Sequence, residues 1–171
     1  MNAPIKIEPL LKKKEINFYY TVVDSIEQLT ETDRLLLRAA REETANAYAP
    51  YSQFNVGAAA LLKNGEIVAG SNQENASSPA GLCAERVVLS AISSIYKHAD
   101  IDTIAISYHN KKNDKNNQPV APCGICRQSL LEYQIQQNKP IRLLLAGQTG
   151  EIYIIEDVRF LLPLSFSNEN M

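Results

Sequence analysis

No run of apolar residues in this chain approaches the roughly 20 needed to span a bilayer, so no membrane partner is expected. A secretory leader is also missing: Met1 to Leu11 is mixed in character, and Lys12, Lys13, Lys14 and Glu15 follow it. A cytoplasmic location is the expectation. Excess positive charge is lacking too. Seventeen Lys and Arg stand against 19 Asp and Glu, giving a net charge of −2, and neither half is strongly basic. That argues against a polynucleotide partner. Cysteine is limited to Cys83, Cys123 and Cys126, and histidine to His98 and His109. An odd cysteine count does not suit a disulfide framework, and a reducing compartment leaves metal, redox or packing roles. There are no repeats and no internal linker. The 171 residues, 45% apolar and 21% charged, fit one soluble domain with a real core.

What is present alternates between strand and helix. Residues 1–30 read as an N-terminal extension or arm, in which the β-rich run Ile16 to Val23 can form a strand. Thr32 to Tyr48 has helical spacing, with Asp33 or Thr32 as cap, Leu36, Ala39, Ala40 and Ala47 on one face, and Pro50 as stop. Val56 to Leu62 and Glu66 to Gly70 read as a hairpin on a type I′ turn at Asn64-Gly65. After a polar loop, Cys83 to Lys97 reads as a helix with Val87, Val88, Ala91 and Ile95 as its apolar stripe. Ile101 to Tyr108 is a predicted strand, and His109 to Gln118 a solvated loop. A helix from Cys123 to Gln136, strands at Ile141 to Ala146 and Glu151 to Ile155, and a helical turn at Val158 to Leu161 complete the chain. This order implies an α/β domain over residues 31–171, a three-layer α/β/α sandwich on a mixed five-stranded sheet.

The chemistry concentrates at two predicted helix starts. Cys83-Ala84-Glu85 precedes Pro122-Cys123-Gly124-Ile125-Cys126 by forty residues. A Cys-x-x-Cys pair at a helix start brings two sulfurs to one ion, and Cys83 supplies a third from another helix. Thiolates suit zinc. A structural zinc site closes with four protein ligands. His98 lies about four turns down its helix from Cys83, too far to share the ion. His109 falls in the polar loop, where spacing does not decide the matter. If neither ligates, one position stays open, the mark of a catalytic zinc. Three thiolates weaken zinc as a Lewis acid. The positive ends of two helices, and Arg86 and Arg127 donating to the sulfurs, would offset that. Glu85, two residues after Cys83, is placed to take a proton from water and return it to a leaving group.

These motifs are the signature of zinc deaminases, and the chain resembles the small, homotetrameric, three-cysteine cytidine deaminases over about residues 32 to 166. The segments that carry the likeness are Pro50 to Ala59, Asn72 to Ala76, Gly81 to Arg86, Pro122 to Gln128 and Leu161 to Phe166. The resemblance implies one Zn²⁺ per subunit on Cys83, Cys123 and Cys126, with Glu85 as proton shuttle. It implies hydrolysis of cytidine and deoxycytidine to uridine and deoxyuridine, with release of ammonia, in pyrimidine salvage. It casts Asn72 and Glu74 as the pair on the ribose 3′-hydroxyl, Phe54 as the aromatic against the pyrimidine, and the main chain of Ala84 and Ala121 as holding the base edge. Phe166 would stack on the base in a neighbouring subunit's site, so the implied assembly is a homotetramer with shared active sites, or a homodimer. Taken alone, Asn72 and Glu74 read as a polar turn, Phe54 as core packing and Phe166 as a tail anchor. The departure is Ser78, where the family has a tyrosine that reaches across the subunit interface. The competing readings are a deaminase of another small heterocycle, a closed zinc module with His109 as fourth ligand, and a polynucleotide editor.

Overall fold

A computed structural model of the chain describes residues 12–97, 99–113, 115–167 and 171. The leader assessment at residues 1–11, the first part of the expected arm, and the placement of His98 lie outside the described residues. Six strands form one mixed sheet: β1 (Thr21–Val23), β2 (Phe54–Leu62), β3 (Ile67–Ser71), β4 (Ile101–Asn110), β5 (Arg142–Ala146) and β6 (Ile152–Ile155). Their order is β1-β6-β5-β4-β2-β3. Only the β4–β5 pair is parallel. The three helices are α1 (Glu31–Glu43), α2 (Ala84–Ile95) and α3 (Gly124–Gln137). No helix among the described residues is long and apolar enough to cross a membrane.

The sheet therefore has six strands, not the expected five. The extra strand comes from the arm. Only Thr21 to Val23 pair, antiparallel to β6, where they cover what would be an open edge. The residues before them lie across the surface through aromatic contacts. Phe18 stacks on Phe160 at 5.9 Å, and Tyr20 packs against Tyr153 at 4.9 Å.

Alternation along the central strands sorts side chains between two cores. Ala58, Ala60, Ile104, Ile106, Leu143 and Leu145 face α2 and α3, which contribute Val88, Leu89, Ile92 and Leu130. Ala59, Ala105 and Leu144 face the other way, toward Leu36, Leu37 and Ala40 of α1. Both faces are dry, so the central strands are almost continuously apolar. Gly57 lets α1 come this close: a Cβ there would stand 2.1 Å from the Ala40 carbonyl.

Several local expectations are corrected. Thr30, not Asp33 or Thr32, caps α1 by accepting from the Asp33 N–H at 3.2 Å. The Asp33 carboxylate instead holds Arg142 at 2.6 and 3.0 Å. The β2–β3 turn is not type I′, which needs positive φ at both central residues. Only Gly65 has one, at 90°. Lys63-Asn64-Gly65 make a three-residue loop, closed by Gly65 N–H to the Leu62 carbonyl and Leu62 N–H to the Glu66 carbonyl, both at 2.9 Å. Ile95 is 70% exposed, and Leu89 and Ile92 take the inner stripe with Val88. His109 belongs to β4 opposite Asn55, not to a loop. The polar run after it is anchored as well as solvated: Asn116 is buried and accepts from the Asn110 N–H at 2.7 Å.

Candidate active site

Both cysteine motifs sit where a helix begins, at the carboxyl ends of β3 and β4. Cys83 is the N-cap of α2, and Cys123 the N-cap of α3, with Cys126 buried in the first turn. The three sulfurs lie within 4.8 Å of one another. Cys83 Sγ is 3.8 Å from Cys123 Sγ, which is 3.4 Å from Cys126 Sγ. Zn–S bonds of about 2.3 Å at tetrahedral angles place sulfurs ~3.8 Å apart, so the donor set fits zinc. No histidine joins this group among the described residues. Neither cap uses its side chain to bond a helix N–H, so the helices act on the sulfurs through their dipoles.

Proton affinities follow from contacts among the sulfurs. A hydrogen bond from the Cys126 thiol holds Cys83 down at about 6, helped by Cys123 and by the nearby charge of Arg86. The same bond, made as donor, pushes Cys126 up, and burial adds to it. Glu85 follows in the first turn of α2 and is only 5% exposed. Burial raises its pKa, against smaller downward pulls from its own backbone N–H and the Cys126 thiol. A carboxyl that binds its proton more tightly than usual therefore stands beside the sulfurs.

These groups line one cleft of about 830 Å³, within the usual range for small-ligand sites. Phe54, Asn72, Glu74, Ser78, Cys83, Glu85, Arg86, Ala121 and Cys123 all line it. Phe54 is backed by Tyr108, stacked at 4.8 Å and 15°. Asn72 bridges the entering strand: its Nδ2 donates to the Phe54 carbonyl at 3.0 Å, and its Oδ1 accepts from the Val56 N–H at 2.7 Å. Glu74 Oε2 accepts from the N–H groups of Tyr51 at 2.9 Å and Ser52 at 3.2 Å. The Ser52 hydroxyl is the main cause of its lowered pKa.

Four of the named residues are not among those lining this cleft. Ala84 is fully buried and its side chain does not line the cleft. Phe166 is 61% exposed and lies outside this cleft, its carbonyl accepting from Gln128 Nε2 at 3.0 Å. Arg127 does not donate to the sulfurs through Nε or Nη1, which go to the carbonyls of Pro122 and Leu161. His109 is outside the sulfur group. Sequence reasoning missed Tyr51, Leu82, Val120 and Ile125 on the cleft wall. The available signal was adjacency: Leu82 directly precedes Cys83, and Ile125 lies between Cys123 and Cys126.

Comparison with known proteins adds an independent line. Residues 30–139 match the family model for the cytidine and deoxycytidylate deaminase zinc-binding region. A cytidine deaminase of Halalkalibacterium halodurans is 37% identical over 138 residues, covering 81% of this chain and 96% of the relative. One of Mycobacterium tuberculosis is 39% identical over 118 residues, covering 67% and 84%. The crystal structure of the cytidine deaminase from Burkholderia pseudomallei superposes with a TM-score of 0.67 at 34% identity, covering 81% of this chain and all of that one.

Proposed function

The chain belongs to the cytidine deaminase family, and from that premise we infer that it is a zinc-dependent hydrolase converting cytidine and deoxycytidine to uridine and deoxyuridine with release of ammonia. The observation that carries this reading is the convergence of three sulfurs on a buried carboxyl inside one cleft.

Cys83, Cys123 and Cys126 hold the zinc. When bound there, zinc supplies a Lewis acid able to bring the pKa of water from about 15.7 toward 7. Glu85 receives the proton that water gives up and places it on N3 of the cytosine ring. Protonation at N3 makes C4 electrophilic, and the oxygen of water adds there. Glu85 then carries the second proton to the amino nitrogen, and ammonia leaves. A raised pKa suits a carboxyl that must hold each proton between donor and acceptor. Arg86, in the same cleft, favours the thiolate of Cys83.

Around this centre, Asn72 and Glu74 are assigned to the ribose 3′-hydroxyl, which an amide and a carboxylate can jointly donate to and accept from. Phe54 is assigned to the face of the pyrimidine. The main chain of Ala84 and Ala121 is assigned to its edge. Support for these roles is their shared cleft with Glu85, or adjacency to it in the chain. Phe166 is assigned to a neighbouring subunit's cleft in a homotetramer, supported by its exposure and its place outside its own cleft. Residues 31–171 are taken as the catalytic domain and residues 1–30 as an extension. The setting is cytoplasmic pyrimidine salvage, with nucleoside and water as partners. Ser78 on the cleft wall makes the sugar end the place where substrate preference is set.

Ultraviolet absorbance of zinc-loaded protein with cytidine and with deoxycytidine tests the reading. The expected result is loss of the cytosine band with uridine formation. No turnover, with zinc confirmed, would move the assignment to another amine-bearing heterocycle.

A further inference from the structure

Arg127 follows a zinc ligand directly, yet its two bonded nitrogens serve other segments of the chain. Nε donates to the Pro122 carbonyl at 2.8 Å, and Nη1 to the Leu161 carbonyl at 3.0 Å. Pro122 precedes Cys123 and follows Ala121 on the cleft wall. Leu161 is buried and ends the helical turn Val158–Leu161, near the C-terminus. The next residue, Gln128, takes the Phe166 carbonyl at 3.0 Å. Two consecutive side chains of α3 thus hold the C-terminal segment at two points, and one of them also holds the turn that presents Cys123.

We propose that Arg127 is a positioning residue that ties the metal-binding turn to the C-terminal segment, so that the order of each depends on the other. A guanidinium suits this role because it offers several N–H groups in a fixed plane and stays charged. Its bonds to two carbonyls are charge-assisted, and losing them leaves the carbonyl of buried Pro122 without this donor. Lysine carries one compact ammonium on a flexible stem and cannot span both carbonyls in the same way. The Leu161 bond carries the consequence for the tail. The segment from Leu161 to Phe166 holds no zinc ligand, yet one of its anchors is fixed to the residue after Cys126.

This inference rests on the cytidine deaminase reading only for the identity of the metal, so its test is read without substrate. Zinc release to a chelator, the absorption bands of cobalt-loaded protein, and hydrogen exchange of residues 122–127 and 158–167 are compared in the wild type, Arg127→Lys and Gln128→Ala. Arg127→Lys is expected to release zinc about tenfold faster, the size of one lost charge-assisted bond. It should also shift the cobalt bands and raise exchange in both segments. Gln128→Ala should raise exchange only in residues 158–167, with zinc release within about twofold of wild type. Wild-type release and unchanged cobalt bands in Arg127→Lys would overturn the proposal. If that variant does not fold, the wild-type protein decides alone. Stripping zinc should raise exchange across residues 158–167, and an unaltered tail would overturn the tie. Failure of the deaminase reading would show separately, as absent turnover in a wild type whose tail still responds to zinc.

Discussion

The starts of α2 and α3 look alike in sequence and differ in what they do. Each has a cysteine as N-cap and an arginine in the turn that follows it. At α2 one sulfur is joined by a buried carboxyl, and Arg86 stays in the cleft, where its charge bears on Cys83. At α3 two sulfurs come from one turn, there is no acid, and Arg127 turns away to backbone carbonyls. In the proposed reading one start handles protons and the other holds the frame. The lesson is that an arginine next to a thiolate ligand cannot be assigned to the sulfur from spacing alone. Pro122 and Leu161 offered it two carbonyls in fixed positions, and buried carbonyls demand donors.

Breaking the frame should have the largest effect. Cys126→Ala removes the buried sulfur that contacts Cys123 and bonds to Cys83. Zinc measured by atomic absorption should fall to near zero, and turnover with it. A full zinc complement in this variant would remove Cys126 from the ligand set. Next in size is the proton handler. Glu85→Gln should keep zinc yet lose turnover by about 10² to 10⁴-fold, the usual worth of general acid–base catalysis. Near wild-type rates in a zinc-loaded sample would end its role as shuttle. Together the two variants separate the helix starts: one loses metal and activity, the other activity alone.

The third test falls between them, at the strand that both starts face. Asn72 closes the entry of β2 through Phe54 and Val56 and is assigned to the sugar. Asn72→Ala should raise KM for cytidine about tenfold or more, because both a substrate bond and the order of the Phe54 backbone are lost. A substrate without the 3′-hydroxyl separates the two causes. It should react poorly with wild type and lose less in the variant than cytidine does, the difference being the substrate bond. An equal further loss with both substrates would make Asn72 a structural residue only.

Legibility followed distance along the chain. The grouping of the three cysteines was readable because each motif is local, and a helix start holds residues three apart on one side. The three layers were readable from the order of strands and helices along the chain. Contacts between distant segments were not. Nothing near Thr21 shows that it pairs with Ile154, and nothing near Arg127 shows Leu161. The α2 stripe was misjudged at Ile95 for the same reason: which residues of the helix pack inward depends on distant strands, and Leu89 and Ile92 take that place. The turn at Asn64-Gly65 failed differently. Two loop lengths share that dipeptide, and register against β3 chose the longer.

The smallest effect sits at the far end of the same two helices. Tyr133 of α3 donates its hydroxyl to the Leu89 carbonyl at 2.8 Å and meets the Ser93 hydroxyl at 2.5 Å, both on α2. Away from the sulfurs, these are the α2–α3 hydrogen bonds found among the described residues. Tyr133→Phe keeps the ring and removes both bonds. The Leu89 carbonyl already accepts within its helix and Ser93 is exposed to water, so the net cost is about 1 kcal/mol. For a chain of this size that lowers Tm by roughly 2–4 °C. Zinc release and kcat should stay close to wild type, because α2 and α3 also rest on a shared apolar core through Val88, Leu89 and Leu130. Calorimetry and chelator competition on the same sample check both halves. If zinc release rose as far as in Arg127→Lys, the distance between the two helices would be set along their whole length, and the division between a proton-handling start and a framing start would no longer account for metal binding.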